Sequence, residues 1–346
     1  MFELVLLTIG LALVFDFYNG MNDAANSIAT IVSTRILTPR QAVAWAAFWN
    51  FVAAFVFGTA VAKAIHSGIL KVEHVSQMLV LAALIGAIAW TAACTRWGLP
   101  ISVSHSLIGG IIGAGLVSTG FDVHALQLGK IGRIGLFIFL APVLGLLGGA
   151  IFMSLVYRAF RTVLPGRVDR LFRTGQLASA AAYSLGHGAN DAQKTMGIIT
   201  LALGACTKTE DLVLRGGEFH VPYWVVLAAH AAIAVGTLVG GAAVIRTMGT
   251  RLTKLRPPQG FCAETSSAIV LFGTAHAGIP VSTTHAVAGA IMGVGAVRRW
   301  KAVRWGVAKR IVVAWLLTIP CSALVSGLVY ALVNLLGLVR WAEGVR

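Results

Sequence analysis

The sequence predicts an all-α polytopic membrane protein made of two inverted-topology repeats, with broken or re-entrant helices at the midplane. Three observations carry this expectation. First, 58% of the 346 residues are hydrophobic and 11% are charged, where a soluble domain carries about 25% charged residues; the mean hydropathy is +0.84. Second, residues 42–62, 78–94, 135–157 and 311–332 are apolar stretches close to the roughly 20 residues a helix needs to cross a bilayer. Third, two polar motifs each occur twice, in the same order.

The first helix is expected to be retained. Residues 1–18 carry Glu3 in place of a basic leader and no small-residue cleavage site follows, so they read as a membrane helix and not a signal peptide. GMNDAANSIATIVST at 20–34 then matches GANDAQKTMGIITLA at 188–202, an offset of 168. LPISVSHSLIGGIIGAG at 99–115 matches IPVSTTHAVAGAIMGVG at 279–295, an offset of 180; the second half has the longer loop, around 207–221. Two matches in one order point to a duplication. The expected division is a first repeat over 1–157, a basic cytoplasmic connector over 158–174, and a second repeat over 175–346.

The net charge of +15 does not read as a nucleic-acid footprint, because the basic residues sit in short clusters between apolar segments and form no basic face interleaved with aromatics. Arg35 and Arg40 stand without an acid, and residues 158–173 hold five Arg against Asp169. Segments 246–256 and 298–310 are basic as well, whereas Glu210 and Asp211 fall in the loop that corresponds to Arg35/Arg40. Corresponding loops of opposite charge imply halves of opposite orientation, with about five crossings each and both termini outside. Inverted repeats are the architecture of secondary transporters, whose site lies where the repeats meet. Cys94, Cys206, Cys262 and Cys321 are isolated in apolar stretches and read as small buried hydrophobes; no metal site or cofactor is expected.

The candidate site residues are polar groups at membrane depth, where ionisable side chains are costly and usually functional. Asn19, Asn22, Asp23 and Asn26 in the first half, and Asn190, Asp191, Gln193 and Lys194 in the second, fall between apolar segments. Gly20, Gly186 and Gly188 flank these runs and are expected to let the backbone leave the helix, exposing N–H groups to an anion and C=O groups to a cation. Pro100 and Pro280 each precede a hydroxyl run: Ser102, Ser104 and Ser106 in one half; Ser282, Thr283 and Thr284 in the other. Such runs can cap a helix and, with its free N–H groups, hold a tetrahedral oxyanion. The amides and hydroxyls (Asn22, Asn26, Asn190, Gln193, Ser102, Ser104, Ser282, Thr283, Thr284) are assigned to the anion. Asp16, Asp23, Asp191, Lys194 and Glu264 are assigned to ion coupling, since bare carboxylates repel an anion in a low dielectric. His105 and His285, at the ends of the hydroxyl runs, are either structural or proton-carrying. The glycine combs Gly109/Gly113/Gly115 and Gly289/Gly293/Gly295 read as close helix packing.

GMNDAAN and HGANDAQK, taken with PISVSHS and PVSTTH, resemble the duplicated signatures of the inorganic phosphate transporter (Pit/PiT) family. The resemblance covers nearly the whole chain and includes GFCAE at 260–264. It implies a multi-pass plasma-membrane permease that symports inorganic phosphate with protons or sodium; some bacterial members of the family carry a divalent metal–phosphate complex and a few carry sulfate. The long hydrophilic insertion of some members is absent. Sodium-coupled animal members resemble one another in a Glu where this chain has Asn50, and in a small or amide residue where it has Lys194. GANDAQK has the look of the bacterial proton-coupled branch, so H+ is the implied coupling ion and Na+ the alternative. The expected partners are phosphate, a coupling cation and the bilayer, with room for a homo-oligomer and none for nucleic acid. Competing readings are a sulfate permease or sodium-coupled symporter of the same fold, a channel, and a membrane enzyme processing phospholipid. No recognisable Ser/His/Asp set supports the enzyme.

Overall fold

Helices α1 (Phe2–Ser33), α2 (Pro39–Val52), α3 (Ala60–His66), α4 (Gln77–Trp97), α5 (Val103–Ser118) and α6 (Leu128–Ala159) form the first half. The second half holds α7 (Pro165–Gly204), α8 (Tyr223–Val239), α9 (Ala242–Arg246), α10 (Pro257–His276), α11 (Thr283–Arg298) and α12 (Trp305–Leu335). These come from a computed structural model that describes residues 2–66, 69–71, 74–204, 213–215, 218–279 and 281–339. Pro280, Cys206, Glu210 and Asp211, singled out in the sequence, lie outside the described residues. A short antiparallel pair, Leu214–Arg215 with Glu218–Phe219, precedes α8.

Local chemistry sets most helix ends. Thr38 caps α2, with Gln41 closing a capping box and Pro39 in the first turn. Ser76 caps α4, and Gly98 ends it in the left-handed conformation, which glycine adopts without steric cost. The chain leaves the helix through residues 99–101, and Ser102, itself extended, caps α5 by accepting from the His105 N–H at 3.3 Å. The second half repeats the device: Ser282 accepts from the His285 N–H at 3.2 Å and starts α11.

Residues 42–62, read from hydropathy as one span, are two helices. α2 ends at Val52, a 3-10 turn covers Ala53–Phe55, and α3 begins at Ala60. The break is held from outside: the Gln193 side-chain carbonyl accepts from the N–H groups of Val61 (2.8 Å) and Ala62 (3.3 Å), capping α3 from α7. The expected connector at 158–174 is mostly helical too, since α6 runs to Ala159 and α7 starts at Pro165.

The helix breaks fall at one motif pair and not at the other. The proline–hydroxyl motifs begin the short helices α5 and α11, as expected. The Gly–x–Asn–Asp motifs lie inside uninterrupted helices, α1 and the 40-residue α7. Their glycines bring backbones together: a Cβ on Gly20 would overlap the Ile233 carbonyl of α8, and one on Gly188 the Asn50 carbonyl of α2. A side chain there would lose the close approach of the helices.

The packing exchanges partners between halves. α1 packs on α8 and α7 on α2; α5 packs on α12 and α11 on α6. Gly109 and Gly113 face the Ile319 and Ala323 backbone of α12, while Gly289 and Gly293 face Pro142 and Leu146 of α6. We expect Gly289→Val, whose side chain would overlap the Pro142 carbonyl, to destabilise the fold by on the order of 1–3 kcal/mol. Gly273→Ala, where a Cβ meets nothing within 4 Å, serves as control. Thermal unfolding in detergent reads the difference; equal melting of the two variants contradicts this packing.

α1, α4, α6 and α12 are long and apolar enough to cross a membrane, and α8 with residues 242–251 makes a fifth candidate bent by 65°. Large apolar side chains are exposed along α6 (Phe139, Leu147, Ile151, Leu155) and α12 (Leu317, Leu324, Leu328, Leu332). The polar groups of the motifs are buried. Apolar outside and polar inside is the distribution a lipid solvent favours.

Candidate substrate site

The site forms where α1 and α7 run past each other and the first turns of α5 and α11 meet them. On α1, the Asn26 amide donates to Asp23 Oδ1 at 2.8 Å and to Thr284 Oγ1 at 2.9 Å. The two threonines at the start of α11 then join the halves. Thr284 Oγ1 lies 3.1 Å from Asp23 Oδ1, and Thr283 Oγ1 lies 3.2 Å from Asp23 Oδ2 and 3.3 Å from Asp191 Oδ2. On α7, the Lys194 ammonium donates to Asp191 Oδ1, to Ser104 Oγ at the start of α5 (2.5 Å) and to the Val281 carbonyl (3.0 Å). Asp191 and Lys194 are three apart on one helical face, the spacing at which side chains meet.

Seven of the residues assigned from sequence therefore converge: Asp23, Asn26, Ser104, Asp191, Lys194, Thr283 and Thr284. All are buried; the Asp23, Asp191 and Lys194 residues are at most 2% exposed, so the cluster is shut off from solvent. The others stand around it. The Asn22 amide donates to Thr95 Oγ1 at 2.8 Å and braces α4. The Asn190 amide donates to the carbonyls of Gly186 (3.0 Å) and Leu271 (2.9 Å), bracing α10. Gln193 caps α3, and Ser102 and Ser282 cap α5 and α11. Asp16 pairs with Asn19 at 3.4 Å on α1. Glu264 forms a separate buried cluster, accepting from Thr30 (2.5 Å), Gln176 (2.9 Å) and Ser179 (2.5 Å).

His187 joins the site without having been assigned to it. Its Nε2 lies 3.2 Å from Asp191 Oδ2 and 3.6 Å from Asp23 Oδ2. One oxygen of each carboxylate and a ring nitrogen lie within 4.8 Å of one another, a set that can close on one small cation. The signal was present in the sequence: His187 stands where the first repeat has Asn19. Asn50 was noted only by comparison of sequences; its amide oxygen lies 3.2 Å from His187 Nδ1. His105 and His285 meet ring to ring, 5.0 Å between centroids, with His285 against Trp315 at 3.9 Å.

A family model described as the phosphate transporter family matches residues 19–326, a span that includes both motif pairs. The chain belongs to that family. A probable low-affinity inorganic phosphate transporter of Rhizobium meliloti is 50% identical over 95% of this chain and 96% of its own. A protein of the same description from Bacillus subtilis is 40% identical over 96% of this chain and 98% of its own. Among solved structures, one described as the sodium-dependent phosphate transporter superposes with a TM-score of 0.87, at 28% identity, covering 96% of this chain and 99% of that one. As a member of the phosphate transporter family, the chain is a multi-pass protein of the plasma membrane and a transporter, not an enzyme.

Proposed function

We propose that this chain imports inorganic phosphate by cation symport, with the proton as coupling ion. The observation that carries the reading is the convergence of both motif pairs in one buried cluster, with acids and a lysine set against the hydroxyl-bearing first turns of two helices. Those turns offer N–H and O–H groups to a tetrahedral oxyanion. In the structure the Thr283 hydroxyl lies within hydrogen-bonding distance of both Asp23 and Asp191, whereas the Thr284 hydroxyl lies nearer the Ile101 carbonyl (2.9 Å) than Asp23. A hydroxyl has one hydrogen to donate. Neutralising the carboxylates with a coupling cation frees the Thr283 hydroxyl for phosphate, and this is how ion and anion binding become linked. Asn26 and Ser104 complete the anion's surroundings. Asn22, Asn190, Gln193, Ser102 and Ser282 hold the frame, while Asp16 and Glu264 are acids placed off the cluster for ion entry or exit. A closed site requires rearrangement toward each side in turn, as two repeats of opposite topology provide.

The deciding experiment is uptake of radiolabelled phosphate into proteoliposomes under imposed proton or sodium gradients, with sulfate as competitor. Uptake driven by the proton gradient and insensitive to equimolar sulfate is expected. Uptake driven by sodium alone removes the proton assignment, and displacement by equimolar sulfate removes selectivity for phosphate over sulfate. For topology, Arg167→Cys is expected to resist an impermeant thiol reagent applied outside intact cells, because the basic segment around it is assigned to the cytoplasm. Labelling from outside contradicts the inversion.

A further inference from the structure

A directed chain of hydrogen bonds runs from a backbone carbonyl to the centre of the site. Thr237 Oγ1 on α8 lies 2.8 Å from the Ile233 carbonyl and 3.5 Å from the Gly20 carbonyl. Carbonyls only accept, so the threonine hydrogen is used there. Thr237 must then accept from the Asn50 amide nitrogen, 3.0 Å away. That fixes the Asn50 amide with its oxygen toward His187 Nδ1 at 3.2 Å, and an amide oxygen only accepts. His187 therefore carries its hydrogen on Nδ1. In the neutral ring Nε2 is a bare lone pair, buried and, among the described residues, without an aligned hydrogen bond.

That lone pair faces Asp191 Oδ2 and Asp23 Oδ2 at 3.2 and 3.6 Å, and among the described residues Thr283 alone supplies them one hydroxyl hydrogen. Three acceptor atoms are gathered around one donor. An acceptor cluster of this kind, out of water, is completed by a positive charge. The titratable groups around the ring are Asp23 and Asp16 on α1, and on α7 Tyr183, whose ring stacks on that of His187 at 6.4 Å, and Asp191 with its Lys194. α2, α8 and α11 present the uncharged Asn50, Thr237 and Thr283, and α10 presents Leu271 and Phe272 beside Gly186.

We propose that His187 Nε2 is the binding site of a coupling proton, and that the Thr237–Asn50 relay keeps that nitrogen free to receive it. The proposal rests on the proton-symport reading and deepens it. The proton binds at Nε2, converts the ring to imidazolium and lets one nitrogen serve the carboxylates of both halves. This leaves Thr283 to turn toward phosphate. Release of the proton on the other side restores the lone pair and the threonine–carboxylate contacts.

The test is the ratio of protons to phosphate, measured in proteoliposomes with an entrapped pH dye and labelled phosphate. His187→Gln is expected to lower the ratio by one proton in whatever flux remains; an unchanged ratio overturns the proposal. Asn50→Asp keeps His187 and places a carboxylate on Nδ1, which favours the imidazolium. It is expected to move the pH dependence of uptake upward by about one unit or more, and an unmoved profile overturns the proposal even where the glutamine variant carries no flux. Wild-type phosphate uptake with no accompanying proton removes the symport reading itself, an outcome read before any variant is made.

Discussion

Asp191→Asn is expected to reduce phosphate uptake by about two orders of magnitude or more, with the protein still reaching the membrane. Asp191 is the charged partner of the buried Lys194, and its other oxygen meets His187 and Thr283. Removing one member of a buried pair costs about 3–5 kcal/mol because the survivor is left buried and uncompensated. At 1.4 kcal/mol per tenfold, that is roughly a hundredfold or more in the population of the loaded site. Asp23→Asn removes a carboxylate whose partners on α1 and α11 are neutral, Asn26, Thr283 and Thr284, so its expected loss is smaller. Initial rates of labelled uptake, normalised to surface protein, give the comparison. Asp191→Asn uptake within threefold of wild type would mean that the pair is structural and takes no part in transport.

The class of fold was legible because it depends on composition and on a repeat that survives as identical residues. Asp23 and Asp191 could be placed together for the same reason, since a duplicated motif at a half-to-half contact brings its copies face to face. What could not be read was the direction of individual side chains. Asn22 and Asn190 look equivalent to Asn26 in sequence, yet each turns about its helix to a different neighbour, Thr95 in one case and the Leu271 carbonyl in the other. Gln193 is adjacent to Lys194 but faces α3. Such choices depend on helix phase and on which backbone groups a distant segment leaves unsatisfied. The glycines of the Gly–x–Asn–Asp motifs misled for a related reason. Glycine allows both a break and a close contact, and only the carbonyls of Ile233 and Asn50 on the facing helices decide for contact.

Lys194→Asn is the second variant with a large expected effect, because it converts one half of the site into a copy of the other. In the first half the Asn26 amide donates to Asp23 Oδ1 at 2.8 Å. In the second, at the same three-residue spacing, an ammonium donates to Asp191 Oδ1. The two halves thus differ by one full charge at matched positions, and Lys194 also ties α7 to Ser104 of α5 and to the Val281 carbonyl ahead of α11. A fixed ammonium supplies next to Asp191 the charge that a mobile metal cation would otherwise have to bring, and it repels such a cation from the same place. With asparagine there, the carboxylate is uncompensated and the repulsion is gone. Proton-driven uptake should fall about tenfold or more, the loss of one charge-assisted contact in a buried setting, and sodium should restore part of it. The measurement is uptake into proteoliposomes with and without sodium, at a fixed proton gradient, for wild type and variant together. A lysine that only packs would leave proton-driven uptake intact in the variant. A wild type that needs a sodium gradient and ignores the proton gradient would show that Lys194 does not stand in for the cation.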